Sequence, residues 1–196
     1  FHLFVAAPNF DAYTPWIRDD FLKRLFAEAK ITAGIGDPQQ WAHLLAPDEY
    51  RRLKERVDID FAPNNPDMFA SSKAVQLTAF IKNVPSLIVK VYEINTLNYY
   101  RETGQPLNLA INLDGLVASS ERRVTFTDSP ERRTARTFEF PELTTRGAYV
   151  VELIGNGKSS RALVQKGRLG VLQEVTAAGH AFTVLDEENN RLPHAQ

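Results

Sequence analysis

The sequence contains no cysteine, which excludes disulfides, zinc sites built on thiolates, a cysteine nucleophile and an internal thioester. It also has almost no net charge, because 23 Lys and Arg residues face 24 Asp and Glu residues. Its longest uninterrupted apolar run is Leu3 to Ala7, far short of the ~20 residues that span a bilayer. We therefore expect no nucleic-acid partner and no direct insertion into a membrane.

Motifs for catalysis and cofactor binding are missing as well. The sequence has no Gly-x-Ser-x-Gly, no Gly-x-x-x-x-Gly-Lys-Ser/Thr and no complete Gly-x-Gly-x-x-Gly. Gly34-Ile35-Gly36 is a fragment of the last motif without its third glycine, and we interpret it as the end of a helix. The chain is therefore predicted not to be an enzyme, with no catalytic residues and no cofactor.

Metal-binding patterns are absent too. The four histidines lie in unrelated segments and lack the i, i+4 spacing of helical zinc sites. They are His2, His43, His180 and His194. The alternating acids Asp58 and Asp60 do not have the spacing of an EF-hand calcium site, and they are typical of the solvent-exposed face of a strand. No metal site is predicted.

What is present is the composition of an ordinary globular protein. The 196 residues are 43% hydrophobic and 24% charged, which excludes a disordered, collagen-like or coiled-coil chain. This length allows one domain or two small ones. A start at Phe1 rather than methionine favours a fragment of a longer polypeptide.

Residues 1–56 are predicted to form a small helical subdomain after a short extended start. The first helix is predicted to begin at Thr14-Pro15, and an apolar side chain then recurs every four residues along one face. This stripe consists of Ile17, Phe21, Leu25 and Ala29. Asp37-Pro38 begins a second helix and Pro47-Asp48-Glu49 a third.

Residues 57–167 change to the two-residue period of β-strands. Strands are predicted at 57–61, 75–81, 87–94, 107–113, 124–126, 134–140, 149–154 and 160–164. The alternation is clearest over 107–113, and Asn156-Gly157 is the strongest hairpin signal. So many strands without intervening helices predict a mainly β fold, an immunoglobulin-like antiparallel β-sandwich.

Residues 168–196 carry two more predicted strands around Ala178-Gly179. Two strands and a turn bury too little surface to be stable alone. We therefore interpret this segment as the truncated start of a further β domain or as an appended β-hairpin.

The closing hairpin of the sandwich resembles a known family. A Gly-x-Tyr-x-Val-Glu strand at Gly147–Glu152 and an Arg-Ala-Leu-Val strand at Arg161–Val164 flank the turn. The pair resembles the end of a macroglobulin domain in bacterial alpha-2-macroglobulin-like proteins, with the best match over residues 144–186. In sandwich folds a tyrosine such as Tyr149 can bond back to the preceding turn as a tyrosine corner.

The resemblance implies an immunoglobulin/macroglobulin-like β-sandwich that follows the small helical subdomain. It also implies a scaffold module within a long, multidomain, extracytoplasmic chain, located in the periplasm or at the cell surface. The thioester and bait region of that family are absent from this sequence.

One group of residues is a possible interface. The densest aromatic and cationic group consists of Tyr92, Tyr99, Tyr100 and Arg101. The last three are the interface candidates, and we expect them where a strand runs into a loop. Ordinary sheet packing with a snorkelling arginine is the competing explanation.

Two functions remain open on these grounds. The first is a non-enzymatic structural or protein-interaction module whose partners are neighbouring domains of the same polypeptide and possibly another protein. The alternative is a carbohydrate- or peptide-binding accessory domain of a hydrolase. Its ligand would occupy a cleft between the helical zone and the sandwich, with Trp16, Trp41 and the tyrosines as lining candidates.

Overall fold

The computed structural model describes residues 2–193. The helices are α1 (His2–Ala6), α2 (Asp19–Ala33), α3 (Pro38–Ala42), α4 (Pro47–Glu55) and α5 (Thr96–Thr103), with a 3-10 turn at Asp11–Tyr13. The strands are β1 (Asp58–Phe61), β2 (Met68–Phe69), β3 (Val75–Lys82), β4 (Ser86–Ile94), β5 (Ser120–Thr125), β6 (Arg133–Phe140), β7 (Gly147–Gly155), β8 (Lys158–Lys166), β9 (Gly170–Thr176) and β10 (Gly179–Leu185).

Two sheets share one apolar core and form the predicted β-sandwich. One sheet has the order β1-β3-β6 and the other the order β2-β8-β7-β4-β5. All their pairings are antiparallel except that of the two-residue β2 with β8. The core draws on both sheets, with Leu77 and Phe140 from the first and Val89, Val151 and Leu153 from the second. The mainly β fold, preceded by helices, is confirmed.

The hairpin at Asn156-Gly157 forms as predicted. Both residues have positive φ, 44° and 77°, which is the left-handed backbone that a two-residue type I′ turn requires. The turn places Gly155 opposite Lys158 and so sets the pairing of β7 with β8.

The strand predicted at 107–113 is wrong. This segment belongs to an irregular connection between α5 and β5. The side chains of Asn108 and Asn112 accept hydrogen bonds from the backbone N–H groups two residues later, both at 2.9 Å, and such turns compete with strand pairing. Ile111 and Leu113 are buried against the outer side of the sandwich. The alternation of apolar and polar residues here therefore reflects burial of one side of the segment, although the segment is not hydrogen-bonded to a neighbouring strand.

The helical part differs from the prediction at its start. His2–Ala6 is a helix and not an extended segment. The long helix begins at Asp19, not at Thr14-Pro15. Thr14 instead ends the 3-10 turn, where its N–H and its hydroxyl both donate to the carbonyl of Asp11, at 3.2 and 2.8 Å. The other two starts are confirmed, and the Asp37 carboxylate caps α3 by accepting a 2.9 Å hydrogen bond from the N–H of Gln39.

The strands β9 and β10 form a separate two-stranded sheet. Beyond this hairpin, the Glu187 carboxylate accepts a 2.7 Å hydrogen bond from the N–H of Ser71 and forms an ion pair with Arg146. These contacts connect the segment after the hairpin to the sandwich.

Candidate interaction surface

The helix α5 carries the residues that the sequence marks as a possible interface. Its start is fixed by Asn95, whose side chain accepts a 3.0 Å hydrogen bond from the N–H of Asn98. Its end is fixed by Gly104, which has φ 66° and donates its N–H to the carbonyl of Tyr100 at 2.8 Å. Tyr99, Tyr100 and Arg101 are therefore helical, and the expected strand-to-loop position is wrong.

The three candidates do not share one face of α5. Tyr99 is half-buried and packs against an apolar cluster on the outer side of the sandwich that includes Tyr92 and Val150. Leu97, Tyr100 and Arg101 are exposed, with Leu97 at 56% and Tyr100 at 57%. Positions three and four residues apart are neighbours on a helix, so these three residues form one outward face, which we call the α5 surface.

The connection after α5 fixes this helix to the sheet. The guanidinium of Arg161, on β8, donates a 3.0 Å hydrogen bond to the carbonyl of Ile111 and a 2.8 Å bond to the Glu152 carboxylate on β7. The N–H of Ser119 bonds the carbonyl of Val91 at 2.7 Å. These contacts hold the connection that follows α5 against the sheet.

The aromatic residues expected to line a ligand cleft do not converge. Trp41 packs edge-on against Phe26, with ring centroids 5.6 Å apart, and its indole N–H donates to the carbonyl of Ile35. Trp16 is 85% exposed and lies in a shallow groove formed with α2 and Leu44. Tyr99 of α5 lies elsewhere, against the outer side of the sandwich, and Tyr100 is exposed.

The histidines and acids do not form a metal centre within the described residues. Across residues 2–193, no group of three or more His, Asp or Glu side chains is arranged to hold a metal ion. His194 and the side chain of His2 lie outside what the structure describes. Asp58 and Asp60 instead form ion pairs with arginines.

Sequence reasoning missed a charged junction between the helical part and the sandwich. Arg56 follows α4 and pairs with Glu28 at 2.5 Å and with Asp58 at 3.2 Å. The Lys82 side chain is buried there and donates to the carbonyls of Lys54 and Arg56 at 3.3 and 2.8 Å. Burial lowers the pKa of Lys82 to about 8.

A cleft of about 1050 Å³ lies at this junction. Its helical wall is formed by α1 and α2, and its other wall by β1, the turn that follows it, and side chains of β3 and β6. The residues come from segments far apart in sequence, such as Glu28, Phe61 and Arg133. No local signal in the sequence marks it, because Asp58 and Asp60 are more than 70 residues away from Arg133.

Comparison with known families identifies the sandwich. Residues 87–167 match a family described as the AbpF first immunoglobulin-like domain. The chain carries an immunoglobulin-like domain. Residues 1–57 match a second family, the Actin-binding protein F N-terminal domain.

A curated relative is similar over nearly the whole chain. It is Actin-binding protein F of Dictyostelium discoideum, 35% identical over 190 residues, or 95% of this chain. The chain spans only 8% of the length of that relative. A solved structure of native alpha-2-macroglobulin from Escherichia coli aligns with 68% of this chain and 46% of its own, at 12% identity and a TM-score of 0.45.

Two expectations drawn from the macroglobulin resemblance change accordingly. The immunoglobulin-like part is confirmed, whereas assignment to the macroglobulin family stays a prediction. The periplasmic or cell-surface location is wrong, because the relative similar over 95% of the chain is an actin-binding protein. Over the part of the chain that the structure describes, no helix has both the length and the hydropathy to cross a bilayer.

Proposed function

We propose that this chain is a non-enzymatic module of a larger multidomain protein and that it takes part in binding actin. The observation that carries the proposal is the extent of the similarity to Actin-binding protein F, which runs through the helical part and the sandwich together. An actin partner implies the cytoplasm as the place of action.

The proposed organisation has three parts: a helical subdomain at 1–56, the sandwich at 57–167 and the start of a further β domain at 168–196. Exposed apolar side chains on the last part support it. Val175 is 78% exposed and Phe182 63% exposed, and strands with such side chains normally pack against a second layer. Neighbouring domains of the same polypeptide are the proposed partners of this hairpin.

The α5 surface is the proposed contact site for a protein partner. Tyr100 and Arg101 belong to the residue types that dominate binding energy at interfaces, and both are exposed beside Leu97. The helix that presents them is capped at both ends and anchored by Tyr99. Binding therefore costs little conformational entropy at this site.

Co-sedimentation with actin filaments tests both proposals. The wild-type chain is compared with the double variant Tyr100→Ala/Arg101→Glu and with the matched double variant Trp16→Ala/Arg18→Glu. The matched pair also removes one exposed aromatic and one exposed arginine. We expect the α5 variant to bind roughly tenfold more weakly and the control to bind like the wild type.

Three other outcomes are informative. A wild-type chain that stays in the supernatant at all filament concentrations would overturn actin binding by this chain. Equal pelleting of both variants and the wild type would place the contact away from α5. A loss in the control alone would move the site to the groove beside α2.

A further inference from the structure

The loop between β5 and β6 presents an exposed serine that is followed by a proline. Ser129 lies in this loop with its side chain open to solvent. It begins a turn in which the N–H of Arg132 donates to the Ser129 carbonyl at 2.9 Å, and serine followed by proline is a favoured start of such a turn. An enzyme can reach this hydroxyl, because a surface loop opens locally at little cost in free energy.

The residues around this hydroxyl match a pattern that proline-directed protein kinases recognise. These kinases phosphorylate a serine or threonine that is followed directly by proline, and the cyclin-dependent members favour a basic residue at the third position after the acceptor. The segment Ser129-Pro130-Glu131-Arg132 meets both conditions. The sequence has one other pair of this kind, Thr14-Pro15, and there Ile17 occupies the third position.

The Ser129 hydroxyl takes part in a contact between the sandwich and the helical part. It donates a hydrogen bond to the carboxylate of Glu131, which is a buried residue. The same carboxylate accepts a 3.4 Å hydrogen bond from the hydroxyl of Tyr50 and lies 3.7 Å from the ammonium of Lys54. Tyr50 and Lys54 both belong to α4, so Glu131 connects the β5–β6 loop to α4 while Ser129 holds its carboxylate.

We propose that Ser129 is a phosphorylation site for a proline-directed kinase and that its phosphate loosens the contact between Glu131 and α4. In the reaction the Ser129 oxygen bonds to the γ-phosphorus of ATP, the bond from that phosphorus to the β-phosphate oxygen breaks, ADP leaves and the hydroxyl proton is released. The modified side chain no longer donates to Glu131. It carries a charge of about −1.5 to −2 at neutral pH and repels the neighbouring carboxylates.

The proposal rests on the proposed function in one respect, the cytoplasmic location, because ATP and such kinases are present there. The first experiment treats the purified chain with a cyclin-dependent kinase and ATP and locates the phosphate by mass spectrometry of its peptides. The assay contains no actin, so its outcome is independent of actin binding by this chain.

We expect phosphate on Ser129 and none on Thr14, which is the internal control without a basic residue at the third position. Ser129→Ala should abolish the modification. Arg132→Gln should slow it roughly tenfold, and Arg132→Lys should restore most of the rate. No phosphate on Ser129, or equal rates for Arg132→Gln and the wild type, would overturn the assignment.

A second measurement follows the contact with α4. Hydrogen exchange of the α4 amides should become roughly fivefold faster after phosphorylation, because the hydrogen bond that holds the Glu131 carboxylate is lost. In Glu131→Gln the phosphate should have less effect, since the repelled charge is gone. Glu139→Gln, which changes an exposed acid on β6, is the matched control and should keep the full effect.

Two outcomes contradict the effect on this contact. The first is α4 exchange that stays unchanged or becomes slower once Ser129 carries phosphate. The second is an equal response of Glu131→Gln and the wild type, which would show that the phosphate does not act through the Glu131 carboxylate.

Discussion

The sandwich and the β9–β10 hairpin have the same strand chemistry and opposite environments. Val151 in β7 is 0% exposed, whereas Val175 in β9 is 78% exposed. Both belong to antiparallel ladders with complete registers. A strand in this chain can therefore form without contributing to a hydrophobic core. A hydrogen-bonded ladder needs only one neighbouring strand, whereas a core needs a second layer of structure packed against the sheet.

The largest expected effect comes from making the same valine-to-alanine substitution in the buried strand β7 and in the exposed strand β9. Val151→Ala should lower the free energy of unfolding by about 2 kcal/mol, because two buried methyl groups are lost and a cavity remains. Val175→Ala should change it by less than about 0.5 kcal/mol. Urea denaturation followed by tryptophan fluorescence and circular dichroism measures both. Equal effects would mean that the hairpin is covered in solution.

A smaller effect is expected at the tyrosine corner of the sandwich. The hydroxyl of Tyr149 donates a 3.0 Å hydrogen bond to the carbonyl of Thr145, and the Tyr149 side chain is buried. Tyr149→Phe should lower the free energy of unfolding by about 1 kcal/mol. Tyr100→Phe removes an exposed hydroxyl and is the control. The Tyr149 hydroxyl also shares a 2.7 Å hydrogen bond with the hydroxyl of Thr145. A neutral Tyr149→Phe variant would show that these two hydrogen bonds add nothing to the packing of the ring.

The smallest effect concerns the contact between the hairpin segment and the sandwich. Hydrogen bonds with Ser71 lower the pKa of Glu187 to about 2. Because the folded pKa lies below the ordinary value, the contact is complete above about pH 4.5 and is lost as the pH falls through about 2. The protection factor of the Ser71 amide, which is its exchange rate corrected for the intrinsic pH dependence of exchange, should therefore fall over that range.

Glu187→Gln should remove this pH dependence, and Glu188→Gln, its neighbour, should keep it. An exchange rate at Ser71 that follows the pH in the same way in all three proteins would show that Glu187 does not hold the segment.

The sequence predicted those parts of the fold that depend on local signals. Asn156-Gly157 specifies its turn by positive φ at two adjacent residues, and the almost continuously apolar segment 87–94 indicates the strand that the structure has as β4. The failure at 107–113 has a local cause too. Asn108 and Asn112 form turns with their own backbone, and the alternation of apolar residues hides this.

The candidate sites were less accessible to sequence reasoning. α5 could have been found from its cap residues, since Asn95 and Gly104 are ordinary start and stop signals. The junction cleft could not, because Phe61 and Arg133 meet only after β1, β3 and β6 have formed their sheet. Their meeting depends on strand order, which no local pattern encodes.

The buried ammonium of Lys82 has a mechanical consequence. It ties the carbonyls of Lys54 and Arg56, at the end of α4, to β3, the middle strand of its sheet. A pull on the helical part therefore reaches the centre of the sandwich directly, and not only through the covalent link into β1. Under mechanical load, the helical part and the sandwich would move together until the hydrogen bonds from Lys82 to these two carbonyls break.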